Sequence, residues 1–233
     1  MLEDVYKFFR PDQPTLRGVD LKVERGEFVF ITGPSGAGKS TLLKLVYREL
    51  TVDEGRVLFC GRDICRLTDK SIPFLRRNLG VVFQDFRIID HWTVFENVAV
   101  ALEIVSMPKR LIRSRVAEAL ERVGLAGRGP ELITNLSGGE QQRVAVARAI
   151  VPEPALILAD EPTGNLDPHL AIDILTLFEE INATGTTVLF ATHDHSLISK
   201  RDHRLISIDE GRVLESQQGL KHWPGSGIHT MAG

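Results

Sequence analysis

A glycine-rich run at residues 33–40 ends in Lys39 and Ser40. It fits the phosphate-binding P-loop pattern, in which glycines let backbone N–H groups curl round phosphate oxygens. Lys39 could neutralise β- and γ-phosphate oxygens, and the Ser40 hydroxyl could ligate Mg²⁺. The apolar segment 28–31 before the run predicts a buried strand, and a helix should begin near Lys39. A glycine-rich turn without a ligand is the alternative, but the strand and helix on either side favour a nucleoside triphosphate site.

Two adjacent carboxylates, Asp160 and Glu161, follow another apolar segment at 155–159. A strand over that segment would deliver both side chains to one edge of a sheet. Asp160 would hold Mg²⁺ through its water shell, and Glu161 would lie one residue farther on, where it can polarise an attacking water. Alone, Asp-Glu-Pro is typical of a solvated turn. Together with the glycine-rich run, it indicates hydrolysis of a nucleotide.

A second candidate anion site is the helix start at 137–140, within the run Leu-Ser-Gly-Gly-Glu-Gln-Gln-Arg at 136–143. An exposed helix N-terminus with a serine hydroxyl suits an anion. Because the first glycine-rich run already serves this chain's own nucleotide, we expect Ser137 to face the nucleotide of another molecule. An ordinary N-cap with flexible glycines would account for Ser137 and one glycine, but not for the whole run.

These three motifs together resemble those of the ATP-binding domains of ABC proteins, and the resemblance covers residues 1–215. The Leu-Ser-Gly-Gly-Glu run is highly specific to that family. The resemblance implies an ATPase that uses ATP with Mg²⁺ and forms a homodimer with ATP sandwiched at the interface. It assigns nucleotide contacts to the following residues: Gly33, Pro34, Ser35, Gly36, Ala37, Gly38, Lys39, Ser40, Thr41, Ser137, Gly138, Gly139, Glu140 and Asp167.

The catalytic and metal sets are completed by the resemblance. Gln84 matches the glutamine that reaches the metal and the attacking water, which gives the metal set Ser40, Gln84 and Asp160. His193 matches the histidine that contacts the γ-phosphate, so the catalytic set is Glu161, His193 and Gln84. Without the resemblance, Gln84 would be interpreted as a strand-end amide and His193 as a structural histidine.

Two further positions also depend on the resemblance. Asp167 ends an Asn-Leu-Asp segment that crosses the dimer interface in the family, although by itself it predicts a helix N-cap before Pro168. Phe9 falls where the family stacks an aromatic ring, usually tyrosine, on adenine. Phe8 or Tyr6 could take that place instead.

The elements that must position these residues follow from the hydrophobic pattern. Further strands are predicted at 57–59, 81–83 and 188–191, with a helix over roughly 168–182, and this alternation indicates an α/β fold. From about residue 94 to 150 the apolar spacing is helical. Together with this pattern, the resemblance implies a P-loop NTPase fold of the ABC type, with an antiparallel β subdomain and a helical subdomain inserted at about 86–150.

The end of the chain has its own pattern. Residues 205–213 predict a closing hairpin, which would end the ATP-binding domain near residue 215. The Gly-rich, polar stretch at 216–233 predicts a flexible tail.

Within the family, four runs are similar to those of ATP-binding subunits that act in cell division: 35–45, 73–77, 82–85 and 158–167. ATPases of lipoprotein release and macrolide export share the last run, so the narrower interpretation depends on the other three. It implies an integral membrane partner of the FtsX type, control of peptidoglycan hydrolases outside the cell, and contacts with other division proteins. The alternative is an ATPase of the lipoprotein-release or macrolide-export type.

Composition narrows the function classes. The 233 residues carry 28 Lys and Arg against 31 Asp and Glu, so no broad basic surface for nucleic acid is expected. No apolar run approaches the roughly 20 residues that a membrane-spanning helix needs, and residues 1–5 lack a secretory pattern. We expect a peripheral protein on the cytoplasmic face of the membrane, at the division site. Cys60 and Cys65 are expected to be reduced packing residues.

Three function classes compete. An ATPase that drives a separate membrane partner is favoured, with the partner docking over 86–97 and Trp92 as the best single anchor. For Val94 and Phe95, packing of the helical insert onto the core is the alternative. A nucleotide-controlled scaffold would need little hydrolysis, and the presence of Glu161 and His193 argues against it. An ABC ATPase that acts on nucleic acid would need coiled-coil insertions or duplicated domains, and one short domain without a basic tract fits this class poorly.

Overall fold

The computed structural model describes residues 1–10, 13–199 and 201–216. All but the first residue of the predicted flexible tail lies outside this part of the chain. The strands are β1 Leu2–Arg10, β2 Gln13–Leu21, β3 Phe28–Thr32, β4 Glu54–Phe59, β5 Arg62–Asp63, β6 Leu79–Phe83, β7 Leu156–Asp160, β8 Thr187–Ala191, β9 Arg204–Asp209 and β10 Arg212–Ser216. The helices are α1 Lys39–Val46, α2 Ile72–Arg76, α3 Val94–Ile104, α4 Lys109–Arg122, α5 Gly138–Ile150, α6 Pro168–Ala183 and α7 His195–Ile198.

The central sheet has the strand order β10-β9-β3-β8-β7-β6, with β3, β6, β7, β8 and β9 parallel and β10 antiparallel to β9. The inner strands β3, β7 and β8 are buried on both faces, which explains their largely apolar sequences. In β3, for example, Phe28 and Phe30 pack on the helical side, whereas Val29 and Ile31 pack toward α1 and the second sheet. The predicted α/β fold and the closing hairpin are confirmed.

Register in the central sheet brings the predicted site residues to one edge. Phe83 pairs with Asp160, and Asp160 pairs with Ala191. Ile31 pairs with Ala191 from the other side. The segments that follow β3, β6, β7 and β8 therefore leave the sheet next to one another, at its carboxyl edge, where ligands bind in open α/β folds.

A second, antiparallel sheet has the order β2-β1-β4-β5. It packs against the start of α1. The contact is so close there that a Cβ on Gly38 would lie only 2.8 Å from the Leu16 side chain of β2. Its Arg17 N–H also donates to the carbonyl of Gly211 in the hairpin, at 2.8 Å. This is the predicted antiparallel β subdomain.

Helices α3, α4 and α5 form one block between β6 and β7. A capping box at Thr93 and Glu96 starts α3. Apolar residues of the block join the core on one face of the central sheet, so the division of 86–150 from the core as a subdomain stays a prediction. No helix in the described ranges is long and apolar enough to cross a membrane.

The two cysteines differ in their surroundings. Both are free thiols. Cys65 is half-buried, and its sulfur accepts a hydrogen bond of 3.3 Å from the Val57 N–H. Cys60 is exposed in the turn after β4 and has a left-handed φ of 48°, so the expectation that it is a packing residue is wrong.

Candidate functional site

The P-loop runs from the end of β3 to the start of α1. At Gly33 the φ is 144°, and a Cβ there would stand 2.2 Å from the Ile208 carbonyl oxygen, so glycine is required. Gly36 has a φ of 80° and open space where a Cβ would be, which leaves room for a ligand over its backbone. Pro34, Ser35 and Gly36 are exposed, whereas Ala37, Gly38 and Lys39 are buried. Ser40 and Thr41 are half-buried at the first turn of α1.

The ammonium group of Lys39 lies under the loop. It donates to the carbonyl oxygens of Gly33 at 2.9 Å and Pro34 at 3.3 Å, and its side chain is only 5% exposed. It also stands 3.4 Å from the Glu161 carboxylate. Lys39 therefore lies beside the space above the glycines with its charge only partly neutralised by protein oxygens.

Ser40 and Asp160 are joined by a hydrogen bond of 2.9 Å, in which the serine hydroxyl donates to the carboxylate. Burial raises the pKa of Asp160, the hydroxyl of Ser40 opposes that shift, and the neighbouring Glu161 adds to it. A half-buried carboxylate with a neighbouring hydroxyl and the amide of Gln84, which lines the same cleft, offers the oxygen ligands that Mg²⁺ prefers. The residues present therefore fit a magnesium ion.

Glu161 is the central side chain of the site. Its φ of 50° is left-handed, and its N–H donates to the Ala191 carbonyl at 3.0 Å. One carboxylate oxygen lies 2.8 Å from Nδ1 of His193, while the other lies 3.4 Å from Lys39. Glu161, which lies just after β7, thus links the ends of β3, β7 and β8. A strained backbone such as that of Glu161 is common at functional sites.

Gln84 follows β6 and contacts the turn that contains Asn165. The two side chains lie 3.4 Å apart, from the Gln84 amide nitrogen to the Asn165 amide oxygen, and Asn165 donates to the Gln84 carbonyl at 2.9 Å. A Cβ on Gly164 would stand 2.9 Å from the Gln84 amide. This close approach holds the glutamine at the rim of the cleft.

One cleft collects about half of the predicted nucleotide and metal residues, together with the predicted catalytic residue Glu161. Those that line it are Ser35, Gly36, Gly38, Lys39, Ser40, Thr41, Gln84, Asp160 and Glu161. A neighbouring hollow adds Gly33, Pro34 and His193 next to Lys39 and Glu161. The two hollows share Ser35, Lys39 and Glu161, so these residues lie at the centre of a continuous site.

The start of α5 lies outside both hollows, with its polar groups arranged as a capping box. Glu140 accepts from the N–H and hydroxyl of Ser137, each at 2.8 Å, and pairs with Arg128 at 2.8 Å. These hydrogen bonds lower the pKa of Glu140, the Ser137 backbone contributing most. Ser137 and Gly138 are exposed, and a Cβ on Gly138 would meet nothing within 4 Å. The helix start is therefore open to a second molecule.

Gly139 and Asp167 connect this helix start to α6. A Cβ on Gly139 would stand 2.9 Å from the Leu170 side chain, so its role is close packing. Asp167 is the N-cap of α6 and accepts from the N–H groups of His169 and Leu170 at 3.0 and 3.1 Å. The N-cap predicted from sequence is confirmed.

The candidate adenine-stacking residues occupy β1. Phe9 is 59% exposed, and the Lys7 ammonium lies 5.8 Å from the centre of its ring. Tyr6 and Phe8 are half-buried and stack on each other with centroids 6.3 Å apart. Phe9 is therefore the most available of the three rings, but it does not line the cleft around Lys39.

Two buried polar residues of the site were missed by sequence analysis. Gln142, which is fully buried on α5, donates to the Pro162 carbonyl at 2.5 Å. Asn97, fully buried on α3, accepts from the Ile89 N–H at 2.9 Å and donates to the Ile89 carbonyl at 3.1 Å. The sequence did contain a signal for both, because each amide lies among the apolar positions of a predicted helix. A side chain there is buried, and a buried amide must find hydrogen-bond partners.

Comparison with known proteins gives consistent results. Residues 16–164 match the family described as ABC transporter. The chain is 50% identical to the cell division ATP-binding protein FtsE of Escherichia coli (strain K12), over 85% of the chain and 89% of that protein. It is 46% identical to FtsE of Bacillus subtilis (strain 168), over 85% of the chain and 87% of that protein.

A solved structure extends the comparison to architecture. The dimeric post-hydrolysis state of the ATP-binding cassette MJ0796, bound to ADP and Pi, superimposes with a TM-score of 0.82 at 35% identity. The match covers 95% of this chain and 99% of that one. The fold around the cleft is therefore one that is known to hold a nucleotide.

Proposed function

The chain belongs to the ABC transporter family of ATPases, and we propose that it is the ATP-hydrolysing subunit of a membrane complex that acts in cell division. The observation that carries the catalytic part is the position of Glu161. Its carboxylate contacts both Lys39 of the P-loop and His193 after β8. Acid–base and phosphate-binding groups thus meet in one cleft.

Lys39 is the phosphate-binding cation in this proposal. Its ammonium is held by two loop carbonyls and lies near Glu161. Triphosphate oxygens carry more negative charge than these partners, so they would attract Lys39 away from Glu161. The carboxylate would then be free to accept a proton from the attacking water.

His193 would hold Glu161 in place and contact the terminal phosphate. Because an ionised carboxylate can only accept, the proton in the 2.8 Å contact belongs to Nδ1 of His193. If His193 is also to donate from Nε2 to the phosphate, its ring must therefore carry a proton on both nitrogens. The side chain is 62% exposed, so it is accessible to a ligand above the cleft.

Mg²⁺ would be held by the Ser40 hydroxyl, by Asp160 and by Gln84, which line the same cleft. When bound, the ion supplies positive charge against the phosphates. Burial raises the pKa of Asp160, which means that the charged carboxylate is disfavoured there. A bound cation would stabilise the charged form.

The working unit in this proposal is a homodimer that sandwiches ATP. Support comes from the separation of Ser137 and Gly138 from the chain's own cleft, together with their exposure. An open helix N-terminus is a good anion site, and a partner subunit's nucleotide would complete it. The dimeric architecture of the similar MJ0796 structure agrees with this arrangement.

A membrane partner of the FtsX type would dock beside Gln84, over 86–97. Trp92 remains the leading anchor because it is half-buried, whereas Val94 is fully buried in the core and is not available. Ile88 and Phe95 pack against the core with part of their surface exposed. Thr93 pairs with Leu132, whose side chain is 47% exposed and extends the apolar surface near Trp92.

The division role follows from the relatives named FtsE. It would place the subunit at the cytoplasmic face of the membrane at the division site, with ATP turnover controlling peptidoglycan hydrolases through the partner and other division proteins recruited there. An ATPase of the lipoprotein-release or macrolide-export type is the second candidate, because it shares the run 158–167.

The test is purification of the tagged chain with its partner from detergent-solubilised membranes. An FtsX-type protein identified by mass spectrometry, with Mg²⁺-dependent ATP hydrolysis, would support the proposal. A lipoprotein-release or macrolide-export permease would refute the division role and keep the ATPase. Trp92→Ala should lower partner recovery while Ile172→Ala, an exposed apolar control on α6, should not; equal recovery would exclude Trp92 as the anchor.

A further inference from the structure

The segment that follows Gln84 has an unusual backbone. Phe86 and Arg87 are consecutive residues with left-handed φ values of 57° and 47°. Side chains of this size rarely adopt that conformation, and it persists only where the surroundings hold it. A strained turn therefore lies two residues from the glutamine at the rim of the cleft.

Arg148 of α5 contacts this turn directly. Its guanidinium donates to the Arg87 carbonyl at 2.7 Å and to the Phe86 carbonyl at 2.8 Å. The planar fork of arginine suits two successive carbonyls better than the single ammonium of lysine would. Arg148 is half-buried, and this burial lowers the pKa of its guanidinium.

Neighbouring contacts fix both ends of the same segment. The Arg87 guanidinium lies 3.6 Å from the centre of the Phe83 ring, before Gln84. At the far end, the buried Asn97 binds the N–H and the carbonyl of Ile89. Arg148 holds the middle, where the backbone is strained, so removing it should loosen the turn while its ends stay attached.

We propose that Arg148 is a positioning residue for Gln84. By holding the carbonyls of Phe86 and Arg87, it keeps the strained turn in one conformation and so keeps the Gln84 amide directed at the nucleotide cleft. The inference rests on the proposed ATPase site, because it concerns the orientation of a residue of that site. Arg148 itself does not line the cleft.

The structure supplies a matched control in Arg76. Its guanidinium donates to the successive carbonyls of Tyr47, at 3.0 Å, and Arg48, at 3.1 Å. Arg48 has a left-handed φ of 58°. Arg76→Ala therefore removes the same kind of contact from the same kind of turn, but at the C-terminal end of α1, where the Tyr47 ring packs edge-on against Phe83 with centroids 6.4 Å apart.

The test compares Arg148→Ala, Arg148→Lys and Arg76→Ala with the wild type. Hydrogen exchange measured by mass spectrometry should rise over residues 84–92 in Arg148→Ala, while 138–150 keeps its protection. In steady-state kinetics, kcat should fall about tenfold with KM for ATP changed less than about twofold, because a displaced group affects chemistry more than binding. Arg148→Lys should be intermediate, and Arg76→Ala should leave kcat per folded molecule near wild type.

Several outcomes would overturn the inference. Unchanged exchange over 84–92, or a kcat for Arg148→Ala no lower than that of Arg76→Ala, would show that Arg148 only stabilises α5. If Arg148→Ala does not fold, the same comparison is made with Arg148→Lys. Hydrogen exchange and kcat equal to wild type in Arg148→Lys would then refute the proposed role of Arg148. A wild-type protein that fails to hydrolyse ATP would refute the proposed function instead, while hydrogen exchange would still decide the role of Arg148.

Discussion

The side-chain amide of Gln142 donates a 2.5 Å hydrogen bond to the carbonyl oxygen of Pro162. This contact ties the middle of α5, whose start carries Ser137, to the turn immediately after Asp160 and Glu161. Gln142 is fully buried, and its Oε1 has no hydrogen-bond partner. A buried amide oxygen without a partner destabilises the fold. That the amide is nevertheless present indicates that the connection between the start of α5 and the Asp160–Glu161 pair matters for the site.

Replacing Gln142 by alanine should lower the free energy of unfolding by about 2–4 kcal/mol, since it removes a buried hydrogen bond and leaves a cavity. Gln142→Met fills the same space and also removes the unpartnered oxygen, so its loss should be smaller. Urea unfolding measures both. Equal losses for the two variants would contradict this account of the contact.

Several parts of this arrangement could be predicted from sequence, because they depend on local patterns. The glycine-rich run, the apolar β3 and β7, and the N-cap at Asp167 each have a signature within a few residues. Strand order does not have one. That β8 lies between β3 and β7, and so brings His193 to Glu161, depends on pairing between segments far apart in the chain.

The residues that sequence analysis missed share a physical cause. Gln142, Asn97 and Arg148 all satisfy backbone groups in other elements, and such partners become visible only when the chain has folded. Val94 shows a different difficulty. It lies within the predicted docking segment 86–97, but its side chain packs in the core, which is the alternative that the sequence left open, because hydrophobicity alone does not distinguish a buried face from a binding face.

Lys39 and Glu161 should respond differently to substitution although they stand 3.4 Å apart. Lys39→Ala should weaken ATP binding, because the cation beside the phosphates is lost. Glu161→Gln should bind ATP at least as tightly as wild type, since Lys39 loses a competing carboxylate, while turnover falls about 10²–10⁴-fold. Nucleotide titration and single-turnover hydrolysis separate the two effects. Wild-type single-turnover rates in Glu161→Gln would remove Glu161 from the chemistry.

Asp160 should lower the stability of the nucleotide-free protein at neutral pH. Its pKa in the folded state is raised by burial, so folding favours the protonated form. The stability from that proton is present below the unfolded pKa and is lost as pH rises through the folded pKa. Asp160→Asn, which can still accept from Ser40, should therefore raise the melting temperature at pH 7.

The pH dependence of that gain is the control. It should shrink as pH falls toward the raised pKa, because wild-type Asp160 then becomes neutral as well. The same variant should lose stabilisation by Mg²⁺ with ATP, which is measured as the shift of melting temperature on adding both. A melting temperature below wild type at pH 7, or a gain that grows in acid, would contradict the assigned direction of the pKa shift.

The shared-site dimer can be tested by mixing two inactive variants, Lys39→Ala and Ser137→Arg. The first damages the P-loop, and the second blocks the exposed helix start that would face the partner's nucleotide. In a mixed dimer one composite site carries both lesions and the other carries neither. ATP hydrolysis should therefore return in part on mixing, with a ceiling set by random assortment and by any cooperativity between the sites.

The controls decide what a negative result means. Native mass spectrometry must first show that mixed dimers form, and each variant alone must stay inactive. If mixed dimers form and no activity returns, either the site is not shared or the two sites act only together. Glu161→Gln with ATP and Mg²⁺ separates these outcomes on a sizing column: a stable dimer would keep the shared site, because the unhydrolysed γ-phosphate holds the Ser137 helix start of the partner, whereas a monomer at high concentration would reject it.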